Sequence, residues 1–509
     1  MAIEVIQRAI LHFDWNSGFL GILVCFLVWV LFWRRRKSQL NFPPGPLGLP
    51  YIGNLLALAG EAPHETLMKM SNKYGSVFGL KLGVFPVVVL SDYESIKEAF
   101  VKSGDKFSDR PRMVMFDGIS KGRGVIGAYH EKGQKEQRRF AQSALRSFGM
   151  GKRSFEEKIT EEIEVFVEHI KNNFSRVAFD PWHIISTSVS NVTCSIIFGR
   201  RFDYRDKTFL EMLSIVHRSF ELSTNASAMN FLPILKYLPH TAFAELWKIY
   251  LTFKDFQIGI FNEHLKEYDP ENPRDFIDIY RTQISKDKSG VTSFDEANMA
   301  FVTADLFVAG TETTATTLLW ALLYMTLYPD IQQKVQDELD KVVGAGSHPT
   351  KEHIQRLPYT EAVLLEIQRM GAIVPLGVPH AASLDTKFHG YDVKKGTIII
   401  ANIFAVLRDP DLWEDPNVFD PNRFLDANNQ VVRREELIPF SIGRRACLGE
   451  QLAKMELYLF FTNLMMCFKF RRPDNAPEPN LRGKMGVTRI PHSFEIKATS
   501  RVAELPGPR

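Results

Sequence analysis

The sequence predicts a mainly α-helical protein with small β-sheets. Apolar residues recur at helical spacing over many long stretches, whereas β-branched or alternating runs are few and short. Hydrophobic residues make up 45% and charged residues 24% of the 509 positions, as in ordinary globular proteins with a large core. The stretches with helical spacing are 154–173, 208–222, 241–266, 294–327, 330–343 and 359–371.

Strands are predicted in two places. The run Phe85–Leu90 is rich in valine, and a second strand-rich region covers residues 373–405. The length alone allows about three domains. However, no Gly/Ser tract, charge block or obvious repeat interrupts residues 41–495. We therefore predict one large domain over residues 41–509, preceded by a separate segment of residues 1–40.

Charge and cysteine content narrow the possible functions. The net charge of +3 is too small to indicate nucleic-acid binding. The four cysteines are too few and too scattered for a disulfide framework, which predicts a reducing compartment for most of the chain. They are Cys25, Cys194, Cys447 and Cys467.

The N-terminal segment has the pattern of a membrane anchor. Residues 18–33 are uncharged and span about 24 Å as a helix, and a start at Trp15 brings the segment close to a bilayer core of about 30 Å. The basic cluster 34–37 follows at once, which predicts a single-pass helix with this cluster in the cytosol. A cleaved signal peptide is the alternative, although its charges would precede the apolar run. The proline-rich stretch Phe42–Pro50 then reads as a stiff elbow, although such a segment taken alone is more often a plain linker or a recognition peptide.

The segment Phe440–Gly449 places one cysteine where it could ligate a metal. Cys447 lies at the start of the helix-favouring run 448–466, where a helix N-terminus would favour the thiolate and lower its pKa. Gly443 and Gly449 allow tight turns, and Arg445 could bind an anionic group by a charge-assisted hydrogen bond. A lone cysteine is more often a small buried apolar residue, but that alternative does not explain the other positions.

This segment matches F-x-x-G-x-R-x-C-x-G in every fixed position, and it therefore resembles the haem-thiolate loop of the cytochromes P-450. The resemblance implies the cytochrome P-450 fold, haem b as cofactor, O2 as co-substrate and Cys447 as the iron ligand. The motifs Phe148–Lys152 and Gly443–Glu450 are similar to those of microsomal family 2. By the same resemblance, the propionates of the haem would be bound by Arg110, Arg138, His380 and Arg445. Where the family carries tryptophan, this sequence has Gln134, whose amide N–H could donate in the same way.

The apolar helical stretch 299–320 contains a polar interruption. Ala309–Thr313 matches the family motif [AG]-G-x-[DE]-T, in which small residues open the helix beside dioxygen. The resemblance makes Glu312 and Thr313 the proton-delivering pair. A plain buried helix, with threonine hydroxyls bonded to the preceding turn, is the structural alternative. Glu366, Arg369 and Arg423 match a second family motif, to which we assign a structural role.

The resemblance implies a membrane-bound monooxygenase that inserts one oxygen atom of O2 into a C–H bond of an apolar substrate. Electrons would come from NADPH through a flavoprotein reductase, and cytochrome b5 is a further possible partner. The expected location is the endoplasmic reticulum membrane, with the catalytic domain in the cytosol. Strings such as 271–278 and 449–457 resemble subfamily U, which hydroxylates long-chain fatty acids near the methyl end. Sterol, vitamin D-type or xenobiotic hydroxylation is the alternative, followed by a peroxide-consuming haem-thiolate isomerase and a non-catalytic haem binder.

Overall fold

The structure is a computed structural model that describes residues 21, 23–26, 29, 41–114, 119–129, 132–147, 153–175, 177–232, 242–286, 292–344 and 347–501. Its helices within 41–501 are α1 (Leu55–Leu58), α2 (Pro63–Tyr74), α3 (Tyr93–Lys97), α4 (Lys132–Ser147), α5 (Arg153–Phe174), α6 (Trp182–Ile197), α7 (Lys207–Phe231), α8 (Ala242–Lys266), α9 (Phe276–Lys286), α10 (Glu296–Leu327), α11 (Pro329–Val342), α12 (Pro358–Gly371), α13 (Ile403–Val406) and α14 (Glu450–Cys467). A π-helical turn, Glu98–Lys102, continues α3, and 3₁₀ turns occur at Lys351–Arg356, Pro421–Phe424 and Gly443–Arg445.

The strands form four small sheets. They are β1 (Val77–Leu82), β2 (Phe85–Leu90), β3 (Ala178–Phe179), β4 (His380–Ala381), β5 (Thr386–Phe388), β6 (Tyr391–Val393), β7 (Ile398–Ala401), β8 (Phe468–Arg471), β9 (Lys484–Met485), β10 (Arg489–Ile490) and β11 (Ile496–Ser500). The largest sheet has the order β1-β2-β7-β4, with β2 parallel to β7 and Val87 opposite Ile398. The other sheets are β3-β11-β8, β10-β9 and β5-β6.

Helix α10 runs through the centre of the fold. It begins where the Asp295 carboxylate accepts a 2.6 Å hydrogen bond from the Asn298 N–H, and it ends at Leu327 before Pro329 opens α11. Of the helices in the described ranges, only α10 is long and apolar enough to cross a membrane, but 72% of its apolar window is buried in protein. Helix α10 is therefore a core helix, packed mainly against α6, α12 and α14.

The prediction of a mainly helical fold is confirmed. Each predicted helical stretch corresponds to a helix, although α7 extends nine residues past its predicted end at 222, to Phe231. Helix α6 escaped prediction because it is buried on nearly every side, so its sequence has no apolar stripe. The C-terminal strands β8 to β11 were also missed, since runs of two to five residues are too short to show alternation.

Most of the predicted membrane anchor lies outside the described residues. The described positions of this segment, 21, 23–26 and 29, are helical. Leu23, Val24 and Phe26 are large apolar side chains within four positions of one another, and each is 44% to 50% exposed. The anchor and the domain boundary near residue 40 stay predictions.

Candidate active site

The cysteine loop is held by backbone geometry that requires glycine at one position. Gly443 has a φ of +83°, and a Cβ there would lie 2.1 Å from the carbonyl oxygen of Phe100. The loop then closes through a 2.9 Å hydrogen bond from the Cys447 N–H to the Phe440 carbonyl. Helix α14 begins at Glu450, so Cys447 precedes its first turn by three residues.

The environment of the Cys447 thiol differs from the prediction. By surface area the side chain is exposed, yet the surrounding protein atoms desolvate it and raise the pKa of the thiol. A hydrogen bond from the Gly449 backbone and the Arg138 charge oppose this shift, while Glu450 adds to it. In the protein without a bound metal ion, the pKa of this thiol is raised, so the expectation that the helix N-terminus lowers it is wrong. A coordinating metal ion, however, deprotonates a thiol outright.

Four residues predicted to bind the cofactor, three arginines and one histidine, converge beside this loop. Arg110 donates to the carbonyls of Ile126, Val378 and Pro379, and Arg445 donates to those of Ser108, Val125 and Ala128. The remaining two are Arg138, which donates to the Ala446 carbonyl at 2.5 Å, and His380, whose Nδ1 lies 2.7 Å from the Phe107 carbonyl. The tertiary structure thus brings together residues that are up to 335 positions apart, as for Arg110 and Arg445.

This cluster fits a dianionic group such as the propionates of haem. Desolvation, with help from the Arg445 and Arg138 charges, lowers the pKa of Arg110 well below its usual value. Desolvation likewise lowers the pKa of Arg445 to about 10, and the pKa of His380 falls well below its usual range. The side-chain hydrogen bonds that these four residues make within the described ranges all go to neutral carbonyl oxygens, although the Asp109 and Asp305 charges partly offset the shift at Arg110. Three neighbouring guanidinium groups that form no direct ion pair with a described residue are costly to bury, so an anion would stabilise them.

Gln134 supports the same conclusion from a neighbouring turn. It lies one turn before Arg138 on α4, and its side chain is 6% exposed. Its Nε2 atom is buried, and within the described residues it has no hydrogen-bond partner. A buried N–H donor without an acceptor costs free energy, so this amide is suited to donate to a propionate. The predicted roles of Gln134, of the three arginines and of His380 in binding the haem propionates remain predictions.

The predicted proton-delivering pair lies in the middle of α10. The Thr313 hydroxyl donates a 2.7 Å hydrogen bond to the Ala309 carbonyl, as the structural alternative expected. Glu312 is buried, and its Oε1 lies 3.1 Å from Nδ1 of His217 on α7. Sequence reasoning missed His217, because it is 95 residues away and matches no motif.

Gly310 has a different function from the one expected. Helix α10 stays α-helical through Ala309 and Gly310, so the small residues do not break it. A Cβ at position 310 would lie 2.9 Å from Oγ1 of Thr193 on α6. Gly310 therefore allows α6 and α10 to pack closely, and the expectation that it opens the helix is wrong.

The Glu366 network forms as predicted. The Glu366 carboxylate accepts two hydrogen bonds of 2.7 Å from Arg369, and one of 3.1 Å from Arg423. Arg369 also donates to the carbonyls of Leu407, Pro416 and Val418, which ties α12 to the loop before the cysteine segment. Both Glu366 and Arg369 are fully buried, so the network is structural.

Hydrogen bonds and apolar contacts also join several loop segments to α10, to α7 and to one another. Asp305 accepts hydrogen bonds from the backbone of Val125 and Ile126, which attaches the loop after Met113 to α10. Met113 and Leu376 share one apolar cluster, and the N–H of Arg489 donates to the Ile373 carbonyl. The N–H of Val487 donates in turn to the Phe220 carbonyl on α7. These contacts link Met113 to Leu376, the Val125–Ile126 backbone to α10, and the segment 487–489 to Ile373 and to α7.

Comparison with known sequences agrees with this site. The family model of cytochrome P450 matches residues 43–498. The chain belongs to the cytochrome P450 family. It is 40% identical to human cytochrome P450 2U1 over 97% of this chain and 95% of that protein. Human cytochrome P450 2J2 is 44% identical over 94% of this chain and 95% of its own length, and mouse cytochrome P450 2U1 is 40% identical over 96% and 97%.

These similarities place the P450 within microsomal family 2 and confirm the predicted fold and enzyme class. The enzyme is a monooxygenase that uses haem b, O2 and electrons from NADPH delivered by a reductase, and its substrates are apolar. When bound, thiolate-ligated haem supplies the activation of dioxygen. The residues of this chain that fit the haem are Cys447 toward the iron and the cation cluster with Gln134 toward the propionates.

Proposed function

We propose that this P450 hydroxylates long-chain fatty acids near their methyl end. The supporting observation is a cation that lies near the N-terminal end of α10, far from Thr313 in the middle of this helix. Arg123 is 41% exposed at the edge of the loop that Asp305 attaches, where its guanidinium lies 4.0 Å from the 53% exposed Asp295 carboxylate, and its charge opposes the rise in the pKa of Tyr250. An ion pair this long and this exposed contributes little free energy, so a substrate carboxylate could displace Asp295. The Tyr250 ring stacks parallel to Phe301 on α10 at 6.3 Å.

The separation suits an extended acyl chain. Phe301 and Thr313 are twelve residues apart on one continuous helix, which corresponds to roughly 18 Å along the axis. A carboxylate bound by Arg123 and the Tyr250 hydroxyl would therefore leave the acyl chain to follow the apolar segments toward Thr313. In this orientation the methyl end, and not the carboxylate end, meets the reacting oxygen.

Within this proposal, Cys447 holds the iron, and Glu312 and Thr313 hold and pass the protons that the reaction consumes. The Thr313 hydroxyl is bonded to the Ala309 carbonyl, so it would have to rotate to donate elsewhere. The apolar wall excludes water and positions one C–H bond. The orientation of the substrate, and hence the position of the new hydroxyl, would depend on Arg123.

The proposed membrane arrangement is a single-pass anchor in the endoplasmic reticulum membrane, with the catalytic domain in the cytosol. The exposed apolar residues Leu23, Val24 and Phe26 support a helix in lipid. Deletion of residues 1–37 should leave a haem-loaded protein, because the described residues of the candidate site all lie beyond this segment. Absence of haem from the truncated protein, when the full chain contains it, would place the boundary elsewhere.

We further propose that the reductase, and cytochrome b5 where present, bind beside the cysteine loop. Arg444 and Lys135 are exposed there, whereas Lys454 is partly neutralised by a 2.6 Å ion pair with Glu450. Exposed charges of this kind mainly set the encounter rate. Charge reversal at Lys135 and Lys454 together should slow reductase-driven turnover at low salt and spare peroxide-driven turnover. An equal loss in both assays would contradict a docking role.

The substrate proposal is tested by mass spectrometry of products formed with reconstituted reductase and NADPH. The panel contains a long-chain fatty acid, its methyl ester, a short-chain acid and a sterol. We expect hydroxylation of the long-chain acid near the methyl end, and Arg123→Gln should raise the KM for this acid severalfold while leaving that for the ester unchanged. Lys121→Gln, which changes a charge in the same loop, is the control. A sterol product, or an equal effect of Arg123→Gln on acid and ester, would refute the carboxylate proposal.

A further inference from the structure

A row of ionisable side chains leads from the protein surface to Glu312. Nδ1 of His217 lies 3.1 Å from Glu312 Oε1, and Nε2 of the same ring lies 3.8 Å from Glu221 Oε1, one turn along α7. Side-chain exposure rises along this row, from 4% for Glu312 to 22% for His217 and 37% for Glu221. The imidazole therefore joins a buried carboxylate to one that water can reach.

The position of the His217 ring is set by three elements. The ring is supplied by α7, and α10 contributes the carboxylate that it contacts. The Trp182 ring at the start of α6 packs against the imidazole, with ring centroids 4.4 Å apart and planes at 56°. A histidine fixed only as a packing residue would not need its two nitrogens turned toward two carboxylates.

We propose that His217 carries protons from the surface at Glu221 to Glu312. This inference rests on the proposed role of the Glu312–Thr313 pair. Imidazole is suited to the task because each ring nitrogen can hold or release a proton near neutral pH. The gap of 3.8 Å on the Glu221 side is longer than a hydrogen bond, and one bridging water would close it.

The transfer balances without any change in oxidation state. Nε2 takes one proton from a hydronium ion that bulk solvent delivers beside Glu221, which leaves a neutral water there, and the proton on Nδ1 passes to Glu312 Oε1. The N–H bond at Nδ1 breaks as the O–H bond at Glu312 forms, so one proton enters and one leaves the ring. Rotation of the ring or a return transfer then restores the first tautomer.

The decisive variant is His217→Gln, because glutamine keeps a donor for Glu312 but cannot carry a proton through its side chain. The matched control is His183→Gln, since His183 is exposed and contacts the same Trp182 ring edge-on at 4.6 Å. Both variants are made in the full chain and assayed with reductase, NADPH and the long-chain acid. The carbon monoxide spectrum and the spectral change on substrate binding monitor the haem site.

We expect His217→Gln to lower product formed per NADPH at least threefold, with both spectra unchanged, whereas His183→Gln should match the parent. We also expect the solvent deuterium isotope effect on product formation to increase in His217→Gln alone. An unchanged ratio of product to NADPH would overturn the proposal. So would a defect in His217→Phe that His217→Gln fully repairs, because that result would show a purely structural hydrogen bond.

A second measurement does not depend on turnover, and it separates this inference from the proposed substrate. Nitrogen NMR of the histidine-labelled, carbon monoxide-bound full chain reports the His217 ring, assigned with His217→Gln. The Nδ1 resonance should move in Glu312→Gln, because its acceptor has changed, while the His183 resonances stay in place. An unmoved His217 resonance would overturn the relay even if the enzyme hydroxylates fatty acids. A shifted resonance would support the relay even if the lipid panel gave no product.

Discussion

Oδ2 of Asp305 lies 2.6 Å from the backbone nitrogen of Val125, and this hydrogen bond attaches the loop after Met113 to α10. The same oxygen accepts a second hydrogen bond, of 2.9 Å, from the Ile126 N–H. Gly124 allows this approach, since a Cβ there would lie 2.5 Å from Oδ2. Asp305 therefore holds this loop from the side of α10, while Arg110 and Arg445 hold it through the carbonyls of Ile126 and Val125.

The stability contributed by Asp305 should depend on pH. Desolvation raises the pKa of this carboxyl from 3.8 to about 6, against the two backbone hydrogen bonds and the Arg110 charge. Because the folded-state pKa is above the unfolded one, the stabilising contribution is complete below pH 3.8 and is lost as the pH rises through 6. Asp305→Asn keeps an acceptor without the charge, so its stability relative to the parent should be about 1 kcal/mol more favourable at pH 8 than at pH 5. Urea unfolding at both pH values measures this, and an identical difference at the two pH values would contradict the assignment.

Breaking the buried Glu366 network should be costly. Glu366→Gln leaves Arg369, which is fully buried, without its charged partner, so we expect a loss of about 3–5 kcal/mol in the free energy of unfolding. Glu361→Gln on the same helix is the control, because its partner Arg433 is 80% exposed and such pairs contribute at most about 1 kcal/mol. Denaturant unfolding followed by haem absorption compares the two. Equal losses would show that burial does not strengthen the network.

Cys447→Ser should abolish the red-shifted absorption of the reduced carbon monoxide complex, because an alcohol oxygen is a poor substitute for thiolate. Cys194→Ser and Cys467→Ser are the controls, since both of these cysteines are buried in apolar clusters. Spectra of the three purified variants decide the matter. Retention of the band in Cys447→Ser, with its loss in either control, would assign the iron to another sulfur.

Thr313→Ala should keep the haem spectrum and lower the ratio of product to NADPH, with electrons diverted to hydrogen peroxide or water. The reason is that its hydroxyl is the group beside Glu312 that can pass a proton onward. Thr317→Ala, which removes a similar hydrogen bond to the Thr313 carbonyl one turn later, is the control. Quantifying product, NADPH and peroxide in one reaction tests this. A ratio equal to that of the parent would remove Thr313 from the relay.

Arg138→Ala should speed the release of haem, because it removes a charged group from the cation cluster. Gln134→Trp should be tolerated and should slow release, since indole adds apolar area and keeps an N–H donor. Transfer of haem to an apo-globin measures both rates. Arg139→Ala, whose side chain is exposed on the same helix, controls for effects on α4. Release from Arg138→Ala no faster than from the parent would mean that this helix does not hold the propionates.

The sequence by itself determined the family and the helical character, and it supplied most of the candidate site residues as predictions. This was possible because the cysteine loop, the acid–threonine motif and the Glu366 motif are local, and each combines residue types that a plain core would not need. Long amphipathic helices such as α5 and α8 were likewise predictable, because one apolar stripe faces the core and leaves a periodic pattern. The sequence also shows Gln134 where the family carries tryptophan, and the structure adds that the buried amide nitrogen of Gln134 has no partner among the described residues.

Only the tertiary structure decided what depends on contacts between distant segments. His217 contacts Glu312 although the two residues are 95 positions apart in the sequence, and Arg110 lies near Arg445 although they are 335 positions apart. Helix and strand periodicity relates only residues a few positions apart, so it cannot predict such contacts. The family motif suggested that Gly310 opens the helix, but its closeness to Thr193 shows that it lets α6 and α10 pack together. The pKa of the Cys447 thiol was also misjudged, because desolvation is set by all surrounding chain segments, whereas the sequence shows only the helix that follows.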